Sequence, residues 1–199
     1  GETAEEKWAR MERFVSEDPE DTDERAKAVR LFAPHSMEFH EHDVEYGYEY
    51  VSSAVIPDGT PSHRQSDYRL FTAEARPGHP LPHAWIIDTS GTRLSTLDLI
   101  HLDRLTLIAG EEGDAWIDAA HTLAEEGFPI EAVRIGHLDG DYLDTRLRWQ
   151  RVRGFSAQGA VLVRPDRCVA WRSEKESDAP VRELRRVWNL IMHKKGSRL

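Results

Sequence analysis

The chain has 199 residues, 39% of them hydrophobic and 31% charged, with a formal net charge of −10. That is enough apolar material for one domain with a core, too much for disorder, and the wrong sign for binding a nucleic-acid backbone. No apolar run approaches the roughly 20 residues of a membrane span and no signal-peptide pattern opens the chain; with one cysteine, Cys168, neither an internal disulfide nor a thiolate cluster can form, which points to a reducing cytoplasm.

Residues 1–28 hold ten acids and five bases, whereas from Val181 onward six bases (Arg182, Arg185, Arg186, Lys194, Lys195, Arg198) stand against Glu183 alone. Such an asymmetry reads either as two solvated helix faces or as two ends that meet each other or a partner.

Residues 2–17 are polar with Trp8, Met11, Phe14 and Val15 at helical spacing, a helix with one narrow apolar stripe. Pro19 and its acidic surroundings interrupt it, and a second helical piece over 24–32 ends before Pro34. In residues 44–50 the period changes: Val44, Tyr46, Tyr48 and Tyr50 alternate with polar residues or glycine, which predicts a half-buried strand. Pro57, Pro61, Pro77, Pro80 and Pro82 then favour an extended strap lying over another surface.

Beyond Pro82 the pattern is α/β. Residues 84–87 and 94–99 read as strands around the turn Asp88-Thr89-Ser90-Gly91. Residues 105–109 are a nearly continuous apolar run, as in a central strand covered on both faces. A helix follows, capped by Asp114, with Trp116, Ala119, Ala120 and Leu123 on one face and Gly127 at its end. Residues 130–135 form the next strand, parallel to the first through a right-handed crossover. Residues 160–164 and 168–172 make a hairpin, and a last helix carries Val181, Leu184, Trp188 and Ile191. The expected division is a helical arm over 1–43, a strand and proline-rich strap over 44–83, and a thioredoxin-like α/β domain with extra N-terminal strands over 84–199.

The segment Ala75-Arg76-Pro77-Gly78-His79-Pro80-Leu81-Pro82-His83-Ala84-Trp85, with Leu94-Ser95-Thr96-Leu97-Asp98-Leu99 and Val161-Leu162-Val163-Arg164-Pro165-Asp166 followed by Val169-Ala170-Trp171-Arg172, resembles the C-terminal third of FAD-dependent aromatic hydroxylases. The types most similar are the phenol and 2,4-dichlorophenol monooxygenases and the polyketide hydroxylases. Glu45-Tyr46-Gly47-Tyr48-Glu49-Tyr50 and Ala54-Val55-Ile56-Pro57-Asp58-Gly59 resemble the same family's link from its flavin and substrate domains, so that the resemblance covers roughly residues 24 to 192. One position departs from it: the hairpin turn ordinarily ends in glycine, and Arg167 stands there. The resemblance implies an accessory domain of a flavoprotein monooxygenase that uses FAD and NAD(P)H, with the flavin and substrate domains of the same enzyme, and a second copy of the chain, as partners. It transfers no catalytic residue to this chain, which has no G-x-G-x-x-G for a dinucleotide. The source reading frame is accordingly expected to continue upstream for several hundred residues, with that glycine loop near its start. The rival reading is a stand-alone thioredoxin-like binding protein without catalysis.

Each chemical candidate has a plainer reading beside it. No cysteine stands at Ala109-Gly110-Glu111-Glu112-Gly113-Asp114, where a redox pair would sit, and Cys168 falls in the late hairpin without a neighbouring base. Gly110 and Gly113 suggest an anion cradle at a helix start, but Glu111, Glu112 and Asp114 would repel a phosphate. His35, His40, Glu41, His42 and Asp43 can be drawn as a metal site, and Asp139, Asp141 and Asp144 as a loose calcium loop, each short of a full ligand set. No catalytic, cofactor-binding or metal residue is therefore assigned. His83 and Trp85, held between prolines, are the candidates for a structural latch, tying strap to domain or domain to the flavin portion; the alternative is a core tryptophan beside a satisfied histidine.

Overall fold

The structure, a computed structural model, describes residues 1–33, 35, 42–61 and 69–193, the Glu24 side chain excepted. The short apolar runs become seven strands of one sheet: β1 (Trp85–Asp88), β2 (Arg93–Ser95), β3 (Leu105–Ala109), β4 (Ile130–Gly136), β5 (Tyr142–Leu143), β6 (Ala160–Val163) and β7 (Val169–Ser173). Their spatial order is β2-β1-β5-β4-β3-β6-β7. Strands β3 and β4 run parallel, joined by α4 (Asp114–Glu125); β6 is antiparallel to β3 and β7 to β6, and α6 (Pro180–Ile191) completes the domain. The connectivity is β-α-β then β-β-α, with β4-β3-β6-β7 as the inner order. Strands β1, β2 and β5 widen the sheet beyond β4.

Every residue of β3 and β6 is buried, because both faces of the sheet are covered. On one face Leu105, Leu107 and Leu162 pack against Trp116, Ala119, Ala120 and Leu123 of α4 and against Leu184, Val187, Trp188 and Ile191 of α6. The stripe at i, i+3, i+4, i+7 is what the sheet buries. On the other face Ile108, Val133, Ile135, Val161 and Val163 meet Trp149 and Val152 of the short α5 (Arg148–Val152), Phe155, and Ala75, Leu81 and Ala84 of the proline-rich strap. The strap is thus half of the second layer. It also closes the free edge of β7: Ile56 N–H donates to the Ala170 carbonyl at 2.7 Å, Gly78 N–H to Val169 at 2.8 Å, Val169 N–H to His79 at 2.9 Å and Leu81 N–H to Arg167 at 2.8 Å. The prolines between these contacts have no N–H to waste, and the covered edge offers no template to another chain.

The arm is a helical hairpin, α1 (Ala4–Val15) and α2 (Thr22–Phe32), joined by one 3₁₀ turn over Pro19–Asp21. Thr3 and Glu6 close a capping box at its start. Helix α1 buries none of its residues, and Phe14 and Phe32 meet across the hairpin at 6.4 Å. Among the described residues no helix is long and apolar enough to cross a membrane.

Three local expectations are corrected. Residues 44–50 form no strand: Asp43, Val44 and Tyr46 lie in α3 (His42–Tyr46), closed by the Gly47 N–H to Asp43 carbonyl bond, and Tyr48 and Tyr50 follow in irregular chain. The alternation had no sheet edge to join, since the edge of β7 is taken by residues 56 and 78–81 and Tyr50 N–H goes to the Gly78 carbonyl. Residues 94–99 split into β2 and a 3₁₀ turn over Thr96–Leu99, because Ser95 and Asp98 form a capping box that starts a helix there. Asp114 does not cap α4; Gly113 holds the cap position, and Asp114 instead pairs with Arg134 at 2.7 Å. The helix ends as expected, with Gly127 at φ +90°. At the β6–β7 turn Arg167 adopts φ +64°, the left-handed conformation for which glycine is the ordinary residue.

Candidate functional site

The thioredoxin-like expectation places any redox pair at the junction where β3 enters α4. Here Glu111 occupies it, accepting from Arg153 Nη1 at 2.6 Å. Arg153 is buried; its Nε donates to the Phe155 carbonyl at 2.9 Å and its guanidinium lies over the Phe155 ring. Burial pushes the Glu111 carboxyl up, but the hydrogen bond and charge of Arg153 outweigh it and hold the group below the ordinary carboxylate value. Three of the amides at this junction are already taken: Gly110 N–H donates to the Gly159 carbonyl at 3.0 Å, Glu112 N–H to the Ala157 carbonyl at 2.9 Å and Gly113 N–H to the Gly110 carbonyl at 3.0 Å. A Cβ on Gly110 would collide with the Ala157 carbonyl oxygen, so this glycine admits the covering loop rather than a phosphate. A flavin does not fit this junction, where the covering loop lies directly against Gly110.

Arg172 organises the strap. Its guanidinium, 1% exposed, reaches Asp58 Oδ2 at 2.6 Å and Glu74 Oε1 at 2.7 Å. Asp58 and Glu74 belong to the two limbs of the strap, on either side of residues 62–68, so one buried cation of β7 clamps both. Burial pushes the Asp58 carboxyl up, yet the Thr60 hydrogen bonds and Arg172 prevail and lower its pKa. Arg76, also buried, donates to the Pro61 carbonyl and to His79 Nε2. Burial first, and the Arg76 charge second, keep His79 below the ordinary imidazole value, which suits a neutral ring accepting that bond.

His83 and Trp85 come together at the opposite edge of the sheet. Their rings stand edge to face at 4.8 Å, and Arg93 of β2 lies over the Trp85 ring at 4.5 Å. His83 Nδ1 pairs with Ser95 Oγ at 2.7 Å, fixing the end of the strap to β2. Trp85 is 43% exposed; the reading of it as a core tryptophan is therefore overturned. Together with Ala84 and three exposed arginines, Arg146, Arg148 and Arg151, the two rings line one groove.

The remaining candidates hold ordinary structural places. Cys168 is buried, and burial pushes its thiol up to about 11, far from nucleophilic character. His40 and Glu41 lie outside the described residues; His42 stands 3.9 Å from Glu45, and among the described residues no three metal-ligating side chains converge. The would-be calcium loop is dispersed: Asp144 accepts the Arg148 and Gln150 N–H groups at the start of α5, Asp141 accepts Arg134 N–H, and Asp139 pairs with the Arg134 side chain. Of the C-terminal bases, Arg185 pairs with Glu126, the C-cap residue of α4, rather than with the arm, and Lys194, Lys195 and Arg198 lie outside the described residues. Sequence reasoning missed the buried arginines 76, 153 and 172. The available signal was Arg172 directly after Val169-Ala170-Trp171, a cation in a buried run that must draw acids to it.

Comparison with known proteins agrees with this geometry. Residues 74–192 match the family model for the aromatic-ring hydroxylase C-terminal region. The chain is 34% identical over 186 residues to 2,4-dichlorophenol 6-monooxygenase of Delftia acidovorans, covering 90% of this chain and 31% of that protein. It is 34% identical over 178 residues to aklavinone 12-hydroxylase RdmE of Streptomyces purpurascens, covering 84% of this chain and 32% of the relative. Among solved structures it is similar to the flavin-dependent monooxygenase PieE in complex with FAD and substrate, at 34% identity and a TM-score of 0.83, over 98% of this chain and 34% of that one. The chain thus spans about a third of the length of the proteins it matches. With the family model covering more than half of its residues and the same region forming the sheet and both its layers, the chain belongs to the aromatic-ring hydroxylase C-terminal family.

Proposed function

We propose that this chain is the redox-inactive accessory domain of an FAD- and NAD(P)H-dependent aromatic-ring monooxygenase, contributing stability, interdomain packing and dimerisation rather than chemistry. The parent enzyme would insert one oxygen atom of O2 into a phenolic ring on flavin and substrate domains outside this chain, which are its natural partners. The observation that carries the reading is the β3–α4 junction, where the Glu111–Arg153 ion pair stands in place of a thiol pair and the loop through Ala157 and Gly159 takes up the Gly110 and Glu112 amides. The exposed aromatic residues of the arm and of residues 46–50 supply the second support, since a surface of that kind asks for a covering partner.

The test is direct. Purified chain incubated with FAD and NADPH is expected to emerge from gel filtration colourless, while the polypeptide of the whole source reading frame is expected to carry flavin absorbance. Flavin retained by this chain alone contradicts the accessory reading; a source frame that starts immediately before this segment favours a stand-alone binding protein instead.

A further inference from the structure

We propose that the arginine groove beside Trp85 receives the acidic tip of the helical arm of a second copy of this chain. The groove is lined by His83, Ala84, Trp85, Arg146, Arg148 and Arg151, with no acidic residue among them. The guanidinium groups of Arg146, Arg148 and Arg151 make no ion pair among the described residues, and Arg93 adds a fourth positive charge above the Trp85 ring. Four unneutralised cations around one exposed aromatic ring are unusual in a chain of net charge −10, and they select an anionic partner.

The same chain supplies a matching anion. Between Val15 and Arg25 stand Glu17, Asp18, Glu20, Asp21, Asp23 and Glu24 with no base among them. Glu17, Asp18, Glu20 and Asp23 are exposed, and the carboxylates of Glu17, Asp18, Glu20, Asp21 and Asp23 make no ion pair among the described residues. The tip is preformed: Pro19 opens its turn, Asp18 Oδ1 accepts Glu20 N–H at 3.0 Å, and Arg25 donates to the Asp18 carbonyl at 3.0 Å. Little ordering entropy is lost when such a turn docks. Reciprocal docking gives two identical contacts related by a two-fold axis. Each surface ion pair is worth about 1 kcal/mol or less, so the association is weak and salt-sensitive, with Trp85 as its apolar body. The proposal specifies the self-association within the accessory-domain reading and rests on that reading only for its choice of partner. Its failure shows as an altered oligomeric state, whereas failure of that reading shows as flavin bound by this chain.

Sedimentation velocity at roughly 0.1 mM protein and about 50 mM salt tests it, with two charge-reversed variants checked for fold by circular dichroism. One carries Arg146→Glu, Arg148→Glu and Arg151→Glu; the other carries Glu17→Lys, Glu20→Lys and Asp23→Lys. The parent chain is expected to dimerise reversibly, each variant to weaken the dimer by at least about tenfold, and an equimolar mixture of the two to regain it as a heterodimer. The arm variant leaves the sheet untouched and keeps the test open should the arginine variant fail to fold. A monomeric parent, a dimer that survives the arm reversal, or a mixture that does not regain association would overturn the proposal.

Discussion

Helices α1 and α4 have the same length, 12 residues, and both carry an apolar stripe at helical spacing. The stripe of α4 is wholly buried, with Trp116, Ala119, Ala120 and Leu123 seated on Leu105, Leu107 and Leu162 of the sheet. The stripe of α1 buries nothing, and Trp8 stays 71% exposed. Helical spacing of apolar residues thus gives opposite outcomes in the two helices, because amphipathicity states only that a helix needs an apolar surface and does not supply one. For α4 the surface is encoded within the same chain; for the arm, on the accessory-domain reading proposed above, a partner would supply it.

The sharpest way to blur this difference is to loosen what holds the sheet's second layer. Arg172→Met leaves Asp58 and Glu74 without their cation, and the loss is expected to be about 3 kcal/mol or more by urea denaturation. The pH dependence gives the sign. Because the folded pKa of Asp58 is depressed, its contribution is complete above the ordinary carboxylate value of about 4 and fades as pH falls through the lower folded value. The parent is therefore expected to lose stability in acid, and Arg172→Met to show a shallower loss; equal slopes would contradict the clamp.

Next in size is a matched pair of truncations. Leu107→Ala opens a cavity between β3 and its covering helices and is expected to cost about 3 kcal/mol. Leu31→Ala, at a position 72% exposed in α2, is expected to change stability by about 0.5 kcal/mol or less in this chain. A comparable loss at both sites would mean that the arm belongs to the same cooperative core. The smallest expected effect is a gain: Arg167→Gly relieves the left-handed strain at φ +64° and is expected to add about 0.5 kcal/mol, read as a rise in the urea midpoint.

What was legible in the sequence follows from the same distinction. The run Leu105–Ala109, the stripe of α4 and the hairpin before α6 could be read because periodicity records burial in a regular element. The tyrosine alternation of residues 44–50 misled because it carries the period of a strand without a sheet edge to receive it. The role of the strap was half visible: its prolines announced an extended segment, but its pinning by Arg172 joins residues 98 and 114 positions apart, which no local pattern encodes. Of the latch candidates, His83 and Trp85 do meet, while the arginines that complete their groove come from the segment before and within α5 and carried no signal that set them apart from ordinary surface charge.

Hydrogen exchange resolved along the isolated chain compares the two regions in one experiment. Amides of β3 and α4 are expected to exchange only through global unfolding, and those of α1 and α2 to exchange orders of magnitude faster under the same conditions. Arm amides protected as strongly as those of Leu105–Ala109 in a monomer would contradict the proposal that the arm's apolar stripe serves a partner rather than this chain's own core.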